Sequence, residues 1–140
     1  MYGEDRIGSL AVLAREALDE NWAASGLFLD FPGGCCGYAS LLLGALYKDS
    51  GVDDFHYQSG RSEVIQWASH GWLTNNNLVV DITADQFDLA MPRIFISDRS
   101  PFHESFELDG FDNSDFRDWK FPNLLDLTKF YYKFLFPLHL

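Results

Sequence analysis

The chain has 140 residues, 47% of them hydrophobic and 16% aromatic, with a formal net charge of −11 at pH 7. That length and composition specify a single folded domain over residues 1–140 and exclude a disordered chain. The charge leaves no basic stripe to neutralise phosphates, so nucleic acids and anionic membrane surfaces are not expected partners, and no apolar run reaches the ~20 residues of a membrane span.

The N-terminus lacks a basic region followed by an apolar stretch, so no secretory signal is expected. Cys35 and Cys36 are adjacent and cannot join distant segments. Free thiols and a cytoplasmic location follow as the expectation, with export by a signal-independent route left open. The acidity suits plain solubility and also a basic protein or peptide partner.

Ile7, Leu10, Ala11, Ala14, Ala17 and Leu18 recur at helical spacing, which predicts an amphipathic helix from Glu4 to Ala24. Asp5, Arg6, Arg15, Glu16, Asp19 and Glu20 are then expected mostly on its solvent face. Ser25-Gly26 stops it. After a short extended piece at Leu27 to Asp30, the loop Phe31-Pro32-Gly33-Gly34 delivers Cys35 and Cys36 to the first turn of a second helix, ending near Asp49. Ala39, Leu42, Leu43 and Leu46 form its stripe, and Leu41 and Ala45 widen it, as in a central, buried helix. Ser50-Gly51 closes it.

Beyond Gly51 the pattern turns to β-branched and aromatic residues. Phe55 to Ser59, Val64 to Thr74 and Leu78 to Thr83 read as strands, with Asn75-Asn76-Asn77 as a turn and Ala84 to Phe87 as one helical turn. A two-residue loop at Asn75-Asn76 places Leu73 opposite Leu78, Trp72 opposite Val79, Gly71 opposite Val80 and His70 opposite Asp81. A slip of one residue would put His70 and Asp81 on opposite faces, so this register, or its bulged equivalent, is expected. Arg93 to Ser97 reads as a further strand. Ser100 to Pro122 is acidic and turn-rich, an ordered surface excursion pinned by Phe102, Phe106, Phe111, Phe116 and Trp119. Leu124, Leu127, Phe130, Tyr131 and Phe134 predict a last helix from Asn123 to Leu138.

A thiol at a helix start, a histidine on a strand and a carboxylate across the hairpin make a Cys–His–Asp candidate. The helix terminus lowers the thiol pKa. The imidazole takes the thiol proton and later protonates a leaving amine, and the carboxylate fixes the ring's tautomer and stabilises the imidazolium. The oxyanion would lie on the cysteine's backbone N–H and a second donor, for which Asn21, Trp22 and Ser25 stand unranked. From position alone, Cys35 and Cys36 both qualify as nucleophile.

Cys36-x-x-x-Ser40 opening an apolar helix, His70-Gly71-Trp72-Leu73 on a strand, and Asp81-Ile82-Thr83-Ala84-Asp85-Gln86-Phe87 after it resemble the core of transglutaminase-like and papain-like cysteine enzymes, over about residues 30 to 90. The resemblance implies Cys36 as nucleophile, favoured over Cys35 by Ser40 at the fourth position, with His70 as base and Asp81 as orienting acid. It departs from the family in carrying two cysteines where one is usual. Trp72 is a candidate site wall or a core aromatic, and Gln86 a candidate substrate contact or a turn cap.

No metal site and no cofactor are expected. Adjacent cysteines lack the spacer that would let Cys35, Cys36 and His70 converge on zinc. His56, His103 and His139 have no partner at ligand spacing, and Gly33-Gly34 lacks the Lys and Ser/Thr of a phosphate loop. The expected fold is α+β, a papain-like or transglutaminase-like core with the cysteine-bearing helix packed on an antiparallel sheet. The expected function is a cysteine hydrolase or acyltransferase acting through an acyl-enzyme on an amide of a protein or peptide substrate, by glutamine deamidation or peptide cleavage. The rival is a catalytically silent binding module of the same fold whose acidic segment, Phe102 to Trp119, docks a basic protein.

Overall fold

The computed structural model describes residues 3–28, 31–33, 36–52, 54–76, 78–87 and 89–139, without the side chains of residues 3–5 and 36. Leu29 and Asp30 of the expected extended piece, Gly34 of the loop and Asn77 of the turn lie outside the described residues. The described elements are α1 (Gly3–Asn21), α2 (Cys36–Asp49), β1 (His56–Arg61), β2 (Ser69–Asn75), β3 (Leu78–Asp81), β4 (Phe95–Ser97), α3 (Pro101–Glu104), β5 (Glu107–Asn113) and α4 (Leu124–Phe130). The fold is α+β, with one open antiparallel sheet ordered β4-β3-β2-β1-β5. No described helix is long and apolar enough to cross a membrane.

Helix α2 is the centre of the core, as its all-round apolar sequence requires. Ala39, Leu41, Leu42, Leu43, Ala45 and Leu46 are all buried, packed with Leu73, Val80 and Ile82 of the sheet side and with Leu10, Ala14 and Leu18 of α1. Its end follows the expectation: Gly51 takes φ +77° and the Val52 N–H donates to Tyr47 O at 2.8 Å. The buried Tyr47 hydroxyl donates to Ile7 O at 2.8 Å, and burial pushes its pKa far up, so it stays a neutral donor. At Gly44 the helix nearly touches the chain after β5: an added Cβ would lie 1.8 Å from Ser114 O.

Four expectations need correction. Arg15 does not face solvent; it is buried in an ion pair with Asp85, and that partner makes burial of the charge tolerable. The stretch before Ser69 is not strand. Ser62 Oγ accepts the Val64 N–H to open a 3-10 turn over Glu63–Ile65, and Gln66 and Trp67 both take positive φ, so β2 begins only at Ser69.

The hairpin register is also different. Leu73 pairs with Val80, Thr74 with Val79 and Asn75 with Leu78, so Asn75 belongs to the strand and the turn follows it. Asn76 has φ +53°, a conformation asparagine tolerates better than most residues, so moving the turn by one position costs little. Relative to the expected pairing every β3 residue moves by two, and an even shift leaves side chains on their original faces. His70 and Asp81 therefore still share a face, meeting diagonally.

The acidic excursion is the fourth: it is ordered and largely at the surface as expected, but Phe111, 69% exposed, does not pin it, and it is not made of turns alone. It contributes α3 and the edge strand β5, which pairs antiparallel with β1 around an irregularity at Ser59/Gly60. At the C-terminus α4 widens into a π turn over Tyr131–Leu135 and tightens into a 3-10 turn over Phe136–Leu138. Arg117 locks this end to α2, with Nη1 and Nη2 donating to Asp49 at 3.0 Å each, while the Tyr131 hydroxyl donates to Asp49 at 2.6 Å.

Candidate functional site, a buried histidine–aspartate–histidine cluster

Strands β2 and β3 sort their side chains onto two faces. Leu73 and Val80 join the core around α2, whereas Trp72 and Val79 pack with Ile65, Phe87, Phe102 and Phe106 on the opposite face. His70 and Asp81 belong to this second face. His70 Nε2 donates to Asp81 Oδ2 at 2.6 Å, and both side chains are fully buried. Phe87 meets the His70 ring edge-on at 4.8 Å between centroids, with Trp72, Phe102 and Phe106 around it.

A third group completes the cluster and went unseen in the sequence. His103 Nε2 donates to the same oxygen, Asp81 Oδ2, at 2.7 Å, so His103, which has no partner at ligand spacing in the sequence, finds one in the folded chain. The ring is set by α3: the Ser100 hydroxyl caps the helix by accepting the His103 N–H at 3.1 Å and is also hydrogen-bonded to His103 Nδ1. The Glu104 carboxylate accepts the Ser100 N–H at 3.1 Å. A serine followed by proline and then by glutamate is a helix-start signal. Read at Ser100-Pro101 it would have placed His103 in an ordered first turn.

Asp81 Oδ1 accepts the Thr83 N–H at 3.0 Å, so the carboxylate takes three donors among the described residues. Burial alone would raise its pKa, but the charge of His70 and the hydrogen bonds from His103 and His70 outweigh that and hold the carboxyl well below its usual range. Since a carboxylate only accepts, both imidazoles present Nε2–H to it. In neutral His70 the lone pair is therefore on Nδ1, the nitrogen that can act as base. In neutral His103 the Nδ1 lone pair accepts the Ser100 hydroxyl proton.

Metal ligation is the other chemistry open to two imidazoles and a carboxylate, whose donor atoms lie within 4.8 Å of one another. Two ligands of a tetrahedral zinc, each ~2.1 Å from the ion, stand about 3.4 Å apart. The separations of 2.6 and 2.7 Å are hydrogen-bond distances, with a proton between the atoms.

The remaining predicted residues fall as follows. α2 opens at Cys36, whose side chain, like Cys35 as a whole, lies outside the described residues. The first turn of α2 abuts β2 beside His70: Ser40 Oγ is 3.5 Å from Gly71 O, and a Cβ on Gly37 or on Gly71 would meet the Tyr57 hydroxyl at 3.6 or 2.0 Å. Trp72 is buried, edge-on to His103 at 4.7 Å, and lines a groove of about 380 Å³ with Thr74, Val79, Leu108 and Phe111. Gln86 Nε2 donates to Thr83 O at 2.9 Å, closing the turn after Asp81. Of the oxyanion candidates, Asn21 donates to Ala17 O at 2.8 Å and Ser25 to Trp22 O at 3.3 Å.

The chain thus has an α+β fold that carries a buried carboxylate shared by two imidazoles. Comparisons with protein-family models, curated proteins and solved structures gave no match.

Proposed function

We propose that this chain is a cysteine hydrolase or acyltransferase with a transglutaminase-like or papain-like core, in which Cys36 is the nucleophile, His70 the base and Asp81 the orienting acid. The observation that supports it most is the fully buried His70–Asp81 pair, 2.6 Å apart, on the strand that the first turn of α2 abuts. His70 leaves β2 at the beginning of the strand, on the face away from α2. The reading therefore requires the Cys36 thiol to reach Nδ1 around that strand end.

In the proposed reaction the Cys36 proton passes to His70 Nδ1 and the thiolate attacks an amide carbonyl carbon of a protein or peptide. The tetrahedral intermediate collapses as the C–N bond breaks, the nitrogen leaving with the proton held by His70. Water, or an amine in the transfer reaction, then attacks the thioester, giving its proton to His70 and restoring the thiol. Throughout, Asp81 accepts the Nε2–H and offsets the imidazolium charge. Trp72 supplies a wall of the substrate groove, and Gln86 is a substrate contact only if its carboxamide exchanges the Thr83 carbonyl for a ligand.

Iodoacetamide at pH 6, with the adduct mapped by mass spectrometry, tests the reading. Rapid alkylation of Cys36 that is lost in His70→Ala is expected. Labelling no faster than a free cysteine peptide would sink it. Candidate proteins incubated with the chain are then screened for a gain of about one dalton or for cleavage.

A second reading, a binding module for a basic partner, draws support from β5. All seven of its residues are exposed at a sheet edge, with Leu108 and Phe111 59% and 69% exposed beside Glu107, Asp109 and Asp112. An edge strand offers unpaired backbone groups to an extended peptide, and its acids would select a basic one. Binding of a Lys/Arg-containing peptide that survives Cys36→Ala and is lost in Phe111→Asp would favour this reading.

A further inference from the structure

His103 is fully engaged in the cluster, yet the reaction proposed above gives it no step. We propose that His103 is a positioning residue: by donating Nε2–H to Asp81 Oδ2 it fixes the carboxylate against which His70 is oriented and keeps the His70 lone pair on Nδ1. The meaning of this role rests on His70 being the base, but its readout does not involve the thiol.

The geometry is over-determined from the α3 side. Ser100 caps the helix, Pro101 supplies the first helical position, and Glu104 accepts the Ser100 N–H, so the hydroxyl is held where His103 Nδ1 meets it. With Nδ1 receiving a proton donor, the His103 proton belongs on Nε2, aimed at Asp81. Trp72, Phe95, Phe102 and Phe106 pack around the ring and prevent it from turning. Among the described residues, the titratable and charged groups facing His103 are Asp81 from β3, His70 from β2, and Glu104 and Asp98, which line the adjoining groove.

Two donors on one oxygen divide its charge. Removing His103 would leave Asp81 to His70 and the Thr83 N–H, concentrating negative charge on the His70 side and favouring the imidazolium. A ring that is already protonated cannot accept the thiol proton, so His103 keeps the base available at a lower pH. Loss of any positive charge carried by His103 acts in the same direction.

The test is ¹⁵N imidazole NMR on the full chain. In the native protein, both neutral rings are expected to carry their proton on Nε2; an Nδ1–H tautomer at His103 overturns the proposal without any variant having to fold. His103→Leu is expected to raise the His70 titration midpoint by about one pH unit. His103→Gln, whose amide N–H reaches about as far as Nε2, is expected to return most of that shift. A purely structural role would lower the melting temperature of both variants and leave the His70 midpoint in place, which overturns the proposal, as does a shift in His103→Gln equal to that in His103→Leu. The same measurements in a Cys36→Ala background do not involve the thiol, so they fail independently of the iodoacetamide test on the native chain. A silent thiol removes the enzyme and leaves this inference standing, whereas an unmoved His70 removes the inference alone.

Discussion

Arg15 of α1 and Asp85 of the turn after β3 meet through two parallel hydrogen bonds, Nη1 to Oδ1 and Nη2 to Oδ2, both 2.8 Å. The guanidinium also donates to Ile82 O at 2.7 Å and to Asp19 at 3.0 Å, and its cation lies 5.0 Å from the Phe31 ring centre. Burial works against the Arg15 charge, but the bonds and charges of Asp85 and Asp19 outweigh it and raise its pKa. Asp81 and Asp85 bracket the same short turn, so this pair holds the segment carrying the orienting carboxylate against the first helix.

Breaking that pair is expected to cost unequally. Asp85→Ala leaves a buried cation short of its main partner and should destabilise the fold by about 3 kcal/mol. Arg15→Met leaves a carboxylate with partial access to water and should cost less. Urea unfolding of both variants checks the order, and equal costs would show that the guanidinium is better solvated than its burial implies.

The pH dependence of stability follows from Asp81. Its carboxyl is held below the unfolded value, so its contribution is complete only above about pH 5 and is lost progressively as pH falls through the unfolded value toward the folded pKa. Asp49 adds to the same acid limb: burial opposes its ionisation, but Arg117 and Tyr131 lower its pKa overall. Asp81→Asn is expected to flatten the fall in unfolding free energy between pH 5 and pH 3, by at most ~1.4 kcal/mol per pH unit. Urea titrations across that range measure it.

The same substitution should disable the proposed chemistry. An amide at position 81 presents N–H as well as C=O to the two rings, which favours moving a ring proton from Nε2 to Nδ1. Where that ring is His70, the base nitrogen becomes occupied. Turnover of an amide substrate is expected to drop by about 10⁴-fold, by analogy with other histidine–aspartate catalysts. Mass-spectrometric rates for native and Asp81→Asn chains would show it, and a loss under tenfold would remove Asp81 from the mechanism.

Gly44 is expected to admit no side chain. With Ser114 O 1.8 Å from the site of an added Cβ, Gly44→Ala must push α2 away from the chain after β5. A loss of about 3 kcal/mol, seen as a lowered melting temperature, is the expected outcome. Gly8→Ala, where nothing lies within 4 Å of the new Cβ, serves as the control.

Periodicity made the two long helices and strands β1 to β4 legible, though not the start of β2, because a buried face leaves a 3.6- or 2-residue mark. It also placed His70 and Asp81 on one face, and that survived a register moved by two residues. Where a polar side chain is buried, the pattern misleads: Arg15 occupies a polar position of α1 yet finds Asp85, a partner 70 residues away. The acidic tract from Ser100 was opaque for a related reason. β5 consists entirely of exposed residues, so it carries no apolar alternation, and backbone pairing with β1 alone makes it a strand.

Local spacing and side-chain alternation were therefore enough to specify the α+β class, the central helix opening at Cys36 and the shared face of His70 and Asp81. The actual hairpin register, the burial of Arg15 and the arrival of His103 on Asp81 emerged only from the folded chain. Those depend on which distant group supplies a compensating hydrogen bond or charge, and no local pattern records a partner contributed from elsewhere in the chain.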